Sequence, residues 1–360
     1  MKILLIKYRN IGDVLLVTPL VNNLKLFYPT AQIDIALNHG TEEMVTLNPN
    51  IFRVLVYDRE YIKSQNFLRR IKEECKFFLS YRNSNYEIVI NLTEGDRGAL
   101  IAKLTNAPIR IGHRSKNWYL RNAYTQVLPK QNFRHTIESN LDPLKNLGIP
   151  VDNKKVSIYW SDTDDEFINK KLLNIDHFIH IHPVSRWMFK CIDDKTMAKI
   201  IDYCELELGY KVILTGDSNR YEINKIKSIM MHCFSKPKNL CGKLTLKQTA
   251  ALNKRARFFI GVDTAIMHMS AANDIPVFAF FGPSGADHWG PWDNYLENSG
   301  YIKRNGVQRM GRHIVFSEQR ICQPCGNDGC DGTKISDCIM NMDLELIKKH
   351  IREIIVAKTI

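Results

Sequence analysis

Lys2-Ile3-Leu4-Leu5-Ile6-Lys7-Tyr8-Arg9-Asn10-Ile11-Gly12-Asp13-Val14-Leu15-Leu16-Val17-Thr18-Pro19 passes from an apolar run of strand length, through a short polar turn, into a helical pattern. Lys2 to Lys7 reads as a strand and about Val14 to Phe27 as a helix, the first half of a βαβ unit. Outward from this stretch the alternation continues. Strands are expected at Ile33–Leu37, Arg53–Tyr57, Tyr86–Leu92 and Ile109–Gly112, with one long helix at Ile62–Arg82. The pattern pauses at Asn146–Pro150 and then restarts. The second half has a buried strand at Phe178–Pro183, then a helix carrying Ile192, Met197, Ile200, Ile201, Cys204 and Leu208 on one face. Strands at Lys211–Thr215, Phe258–Gly261 and Pro276–Phe281 alternate with helices from Arg220, from the Thr245/Gln248 capping box and from Ala265. A last helix, about Asp343 to Ala357, carries Leu344, Ile347, Ile351, Ile354 and Ile355. The class is α/β, with two Rossmann-like lobes expected to face each other across a cleft.

Composition sets outer limits. The chain has 360 residues and a formal charge of +12. Its longest run without Asp, Glu, Lys or Arg is Ile275–Ala286, too short for a bilayer-spanning helix. Lys7, Arg9 and Asp13 interrupt the N-terminal apolar stretch, so no secretory signal is expected there and a cytoplasmic location is the default. The nine cysteines are an odd number, and Cys75, Cys191, Cys204, Cys233 and Cys241 are scattered singly, which is thiol usage and not a disulfide scaffold. Positive charge is concentrated: Arg53 to Lys130 holds 15 Lys and Arg against 7 Asp and Glu. That density suits an anionic partner such as a phosphorylated glycan, an acidic membrane surface or nucleic acid, or is simply a solvated basic surface.

Three constellations could carry chemistry. Arg9-Asn10-Ile11-Gly12-Asp13 joins the first strand to the first helix, and Asp13 is either the helix N-cap or a general base. A single glycine argues against a dinucleotide fingerprint. His182-Pro183-Val184-Ser185-Arg186-Trp187-Met188-Phe189-Lys190 places a hydroxyl and a cation past the first strand of the second half, suited to a phosphate. Alternatively, Ser185 is a turn residue and Lys190 a solvated lysine. Gly261-Val262-Asp263-Thr264-Ala265-Ile266-Met267-His268 runs from strand to helix, where amides can cradle a pyrophosphate while Asp263 and His268 meet sugar or anionic oxygens. Here Asp263 is otherwise a cap and His268 a satisfied helix histidine.

Taken in this order, the three motifs resemble the family 9 glycosyltransferases, the heptosyltransferases of lipopolysaccharide core assembly. Phe189-Lys190-Cys191 followed by Asp193, with Phe281-Gly282-Pro283 and Trp289-Gly290-Pro291-Trp292, resembles the heptosyltransferase III branch more narrowly. The resemblance covers the chain to about Asn294. It implies a GT-B architecture: an acceptor-binding Rossmann-like domain at 1–155, an ADP-sugar donor-binding Rossmann-like domain at 156–341, and a helix at 342–360 packing back toward the first domain. The implied reaction is inverting, metal-independent transfer of L-glycero-D-manno-heptose from ADP-heptose to an inner-core heptose. By that resemblance Asp13 is the catalytic base. Ser185 and Lys190 bind donor phosphate, and Asp263, Thr264, Ala265 and His268 form the pyrophosphate and sugar site. Glu222 holds the ribose, and Leu240, Cys241 and Gly242 edge the adenine pocket. Arg9, Arg97, Arg114 and Lys116 are expected at the phosphorylated lipid A-core acceptor, with the protein peripheral on the inner membrane.

Those residue types suit the chemistry. Displacement at an anomeric carbon needs a base for the acceptor proton and positive charge near the departing diphosphate. No cofactor is expected to be required for catalysis, since no Asp-x-Asp lies on a predicted strand edge facing the cleft. One region departs from the resemblance. Cys322-x-x-Cys325-x4-Cys330-x7-Cys338 could form a structural zinc knuckle or remain four free thiols, remote in sequence from the three motifs. The competing functions are another nucleotide-sugar enzyme, a hexosyltransferase or an epimerase, and a non-catalytic binder of phosphorylated glycan. Nucleic acid is not expected, since no RNA-binding or helix-turn-helix signature is present.

Overall fold

Strand β1 (Lys2–Lys7) is buried at every residue after Lys2. That burial is what an apolar run covered on both faces of a parallel sheet requires. In the computed structural model, which describes residues 1–82, 84–130 and 133–357, β1 pairs in parallel on one side with β2 (Gln32–Asn38). Beyond β2 lies β3 (Arg53–Tyr57), while β4 (Ile88–Asn91), β5 (Ile109–Gly112) and the short β6 (Gln126–Val127) extend the other side. The resulting order, β3-β2-β1-β4-β5-β6, is that of a Rossmann-like sheet. Leu4, Ile6, Val89, Ile101 and Tyr57 are among the residues of a core on it.

Where one helix is expected after β1, there are two, α1 (Ile11–Leu15) and α2 (Thr18–Phe27). Pro19 has no N–H for the Leu15 carbonyl, and the Thr18 hydroxyl donates to that oxygen instead, at 2.9 Å. The long helix expected at Ile62–Arg82 is likewise divided, into α3 (Arg59–Ser64) and α4 (Phe67–Arg82). Asn66 makes the break by accepting the Arg69 amide at 3.0 Å, which starts a new helix. Helix α5 (Asp96–Thr105) follows β4.

The chain divides into two units, Met1–Tyr159 and Trp160–Ile360. The first extends past the expected limit because α2 holds residues 152–157 with its side chains. Asn23 Oδ1 accepts the Asp152 and Asn153 amides, Asn23 Nδ2 donates to the Asn153 carbonyl, and Thr18 Oγ1 accepts the Ser157 amide.

The second unit repeats the topology. Strands β7 (Phe178–His182), β8 (Lys211–Leu214), β9 (Lys238–Asn239), β10 (Phe259–Val262) and β11 (Val277–Phe280) are parallel. The hairpin β12 (Gln308–Met310) and β13 (His313–Phe316) completes the order β12-β13-β11-β10-β7-β8-β9. None of the strands expected from the sequence covers this hairpin. The Thr245 capping box forms with Gln248 as expected. The last helix (Leu344–Ala357), expected to pack back toward the first lobe, seats Ile347, Ile351 and Ile354 in the core of the second unit. Arg352 Nε donates to Tyr203 Oη at 2.9 Å beside that core. Among the described residues no helix is long and apolar enough to cross a membrane.

Asn23 is fully buried, and its loss would leave the amides of Asp152 and Asn153 without this acceptor. Asn23→Ala should therefore cost about 1–3 kcal/mol of stability. Urea unfolding checks this, and an unchanged midpoint would show that the 152–157 segment does not depend on Asn23.

Candidate functional site

In both sheets the strand order reverses between two neighbours, β1 and β4 in the first unit and β7 and β10 in the second. The chains leaving those strands turn to opposite faces, so their carboxyl ends border an open crevice. Of the expected residues, Asp13 follows β1, Ser185 and Lys190 follow β7, and Asp263 and Thr264 follow β10.

In the first unit the Tyr8 amide donates to Thr93 Oγ1 at 2.8 Å, tying the end of β1 to the loop after β4. Asn10, not Asp13, is the N-cap of α1. Asp13 is the third helical residue, half-buried, and its Oδ2 accepts the Asn10 amide at 3.3 Å. Beneath this turn lies Lys7, which the sequence reading did not single out. It is 3% exposed, and its Nζ donates to the Leu92 carbonyl at 3.3 Å and to Asn140 Oδ1 at 3.2 Å. Asn140 in turn donates to the Leu16 carbonyl at 2.9 Å. Burial pushes the Lys7 ammonium down to about 8; attraction to Asp13 opposes the fall and Arg9 assists it.

The four expected acceptor residues all leave the same edge of this sheet, Arg9 after β1, Arg97 at the start of α5, and Arg114 and Lys116 after β5. Arg9, Arg114 and Lys116 are exposed. Arg97 lies over the Tyr57 ring at 3.9 Å and donates to its hydroxyl at 3.0 Å, near Tyr8.

In the second unit Lys190 Nζ stands 2.6 Å from Asp263 Oδ2, a bond from the loop after β7 to the end of β10. Burial would raise the Asp263 carboxyl, but the charge and hydrogen bond of Lys190, the hydrogen bond of Ser284 and attraction to His268 hold it below the ordinary carboxylate value. Ser284 follows Phe281-Gly282-Pro283 and was not foreseen as part of the site. Ser185 is buried and its Oγ accepts the Trp187 amide at 3.1 Å. Thr264 is the N-cap of the Ala265–Ala272 helix, but its side chain makes no capping bond, and its Oγ1 is shielded from solvent with no hydrogen-bond partner. His268, one turn on, is buried. A helix N-terminus, a lysine and an unengaged hydroxyl thus meet where an anionic ligand is best held.

Glu222, Leu240, Cys241 and Gly242 form a neighbouring group at the ends of β8 and β9. Glu222 is buried and accepts the Asp217 amide at 2.7 Å; burial pushes its carboxyl up, against the pull of that amide and Asn219. Leu240 donates to the Leu214 carbonyl, Gly242 to Gly216 and the Cys241 thiol to Asp217. Gly242 has φ +69°, and a Cβ there would lie 3.1 Å from Ser218 Cα. A Cβ on Gly216 would lie 2.9 Å from Cys241 Sγ and 3.0 Å from Val184 Cγ2, so the loops after β7, β8 and β9 are in contact. Thr215 Oγ1 bonds both His180 Nε2, at 2.7 Å, and His182 Nδ1, at 2.9 Å. Burial pushes His182 down to about 4, with Asp217 opposing, so the ring is neutral at physiological pH.

Among the described residues no three His, Cys, Asp or Glu side chains are assembled to hold a metal. Cys322 and Cys325 are exposed, Cys330 half-buried and Cys338 buried. Burial, together with the Cys330, Cys325 and Cys322 thiols, pushes Cys338 up to about 11. The loop is remote from the site in sequence but not in space. Gln323 Nε2 donates to the Phe281 and Gly282 carbonyls, and the Gly326 amide donates to Pro283.

Two Rossmann-like sheets whose switch points carry these groups define an α/β enzyme of GT-B fold. Lipopolysaccharide heptosyltransferase 3 of Escherichia coli K12 is 32% identical over 289 residues, 78% of this chain and 82% of that protein. A family 9 glycosyltransferase from Veillonella parvula superposes with a TM-score of 0.81 at 20% identity, covering 99% of this chain and 97% of that one. The E. coli ADP-heptose lipopolysaccharide heptosyltransferase II does so with 0.75 at 16% identity over the whole of both chains. Residues 75–313 match glycosyltransferase family 9 (heptosyltransferase), and the chain belongs to that family.

The folded protein releases the Lys7 proton at about 8, whereas the unfolded chain keeps it to the ordinary 10.5. Between these values the unfolded state binds more protons, so this group makes stability rise with pH. Lys7→Met should flatten that rise, and urea unfolding of both proteins at about pH 7.5, 9 and 10.5 tests it. Parallel pH dependences would refute the assignment.

Proposed function

We propose that the protein transfers L-glycero-D-manno-heptose from ADP-heptose to an inner-core heptose of lipopolysaccharide, with inversion and without a catalytic metal. The observation that carries this reading is the Lys190–Asp263 pair beside the Ala265–Ala272 helix N-terminus and the unengaged Thr264 hydroxyl. Family membership and the names of the relatives supply the sugar.

In this reading the second unit binds the donor. Lys190, Ser185 and the amides of Thr264 and Ala265 take the diphosphate, and Asp263 and His268 take sugar hydroxyls. Glu222 takes the ribose, with Leu240, Cys241 and Gly242 at the adenine. As the bond from anomeric carbon to phosphate oxygen breaks, charge grows on ADP, and Lys190 with the helix amides stabilises it. The first unit binds the acceptor, with Arg9, Arg97, Arg114 and Lys116 at its phosphates. Asp13 removes the proton from the attacking hydroxyl. Because the acceptor is lipid-linked, the protein works peripherally on the cytoplasmic face of the inner membrane.

Asp13→Ala should lower turnover by about 100- to 10,000-fold while ADP-heptose affinity, read by calorimetry, stays near wild type. A variant that keeps its rate and loses only stability would make Asp13 a structural helix residue.

Transfer should proceed in EDTA without added Mg2+, and Lys190→Ala should weaken both donor binding and turnover; strict Mg2+ dependence of chelator-treated protein would contradict the mechanism. The proposal also includes a structural zinc on Cys322, Cys325, Cys330 and Cys338, supported by their spacing. Binding would require the two exposed thiols to close on the other two. Elemental analysis of protein purified without chelator should find about one zinc per chain, and four alkylatable thiols with no zinc would exclude it.

A further inference from the structure

Helix α4 is held by one face. Phe77 packs on Tyr57 and Tyr81 with ring centroids 4.7 and 5.3 Å apart, Tyr81 is buried, and Glu74 accepts the Tyr57 hydroxyl at 2.7 Å. The face beside it is turned outward and is largely apolar. Phe67 is 75% exposed, Leu68 77%, Ile71 47% and Leu79 54%, with Cys75 exposed between them. At ~100° per residue these five side chains fall within an arc of about 120°. Lys72 borders that arc on one side, with Lys76 and Arg69 further round on the same side, and all three are exposed. From Arg59 to Arg82 the chain has seven Lys or Arg against three Glu, and one of those, Glu74, is engaged by Tyr57 on the inner face.

We propose that α4 is an interfacial helix that lays its Phe67, Leu68, Ile71 and Leu79 face into an anionic lipid surface, with Lys72 and Lys76 at the headgroups. An outward apolar stripe flanked by basic residues is the build of a helix that lies in a membrane surface, and here Lys72, Lys76 and Arg69 flank it on the side away from the core. Anionic lipid attracts each basic group near it, whereas an apolar protein groove would leave those cations without complement. The stripe is also small: 16 residues span about 24 Å, which with a helix width of about 10 Å makes roughly 240 Å², below the ~800 Å² per partner that a stable protein interface buries. The proposal deepens the reading above, and rests on it for the kind of membrane, by naming the element that brings the enzyme to a lipid-linked acceptor.

The test uses the full chain and two multiple variants, Leu68→Ser/Ile71→Ser/Leu79→Ser and Lys72→Glu/Lys76→Glu. Every substituted side chain is solvent-accessible, and unchanged thermal midpoints confirm folding. Cosedimentation with phosphatidylglycerol/phosphatidylethanolamine vesicles should bind wild type, with each variant weakened by about tenfold or more, and phosphatidylcholine vesicles should bind poorly. Turnover on a delipidated, soluble core oligosaccharide should be the same for all three proteins. Absence of wild-type binding to anionic vesicles, or variants that bind as wild type does, would overturn the proposal. So would light scattering that shows a wild-type dimer dissolved by the serine variant, since a second copy would then cover the face. Vesicle binding as expected with no heptosyl transfer by any of the proteins would leave the docking helix standing and remove the functional reading instead.

Discussion

A parallel sheet with strands in the order 3-2-1-4-5-6 must send the chains leaving its two central strands to opposite faces. At that point no connection covers the carboxyl edge, and backbone amides, helix N-termini and side chains from adjacent strands converge on one crevice. Both units obey this constraint, and the rest of each site follows from it. Lys190 reaches Asp263 because β7 and β10 are neighbours. Tyr8 reaches Thr93 because β1 and β4 are. Residues separated by 73 and 85 positions become partners without any local signal.

Each switch point includes a lysine that is largely withdrawn from water, and the two are handled differently. Lys190 has a carboxylate, and the pair keeps Asp263 ionised despite its burial. Lys7 has two neutral oxygens, from Leu92 and Asn140. Neutral acceptors repay less of the cost of desolvating a charge than an anion does, so the Lys7 ammonium is pushed down where Asp263 is held charged. The Lys190 cation is thus already compensated and set beside helix amides, while Lys7 gives a neighbouring carboxylate a nearby, weakly held positive charge.

The periphery is organised by similar small attachments. Gln323 and Gly326 fasten the cysteine-rich loop to the segment that delivers Ser284 to Asp263. Asn23 fastens residues 152 and 153 to α2 and thereby moves the end of the first unit to Tyr159. In α4, packing of Phe77 and Tyr81 leaves Leu68, Ile71 and Leu79 outside.

What the sequence determined by itself is whatever depends on neighbours along the chain. Apolar runs and helical periods placed most strands to within two residues, and the Thr245 capping box appeared where its spacing puts it. Asp13, Ser185, Lys190, Asp263 and Thr264 stand out as candidates in the sequence because each follows within a few residues of a strand's end. The breaks after Leu15 and Ser64 were missed although Pro19 and Asn66 were present, since a continuous apolar period outweighs one residue in such a reading. Only the tertiary structure could decide the β12–β13 hairpin, whose strands of three and four residues carry too little pattern to be read until β11 pairs with them. It alone brought Asn140 to Lys7 and made Asn10 and not Asp13 the cap. It also turned the last helix onto the core of the second unit. Hydrogen bonds and burial between distant segments have no period in the sequence, so they become visible only once the sheets have chosen their order.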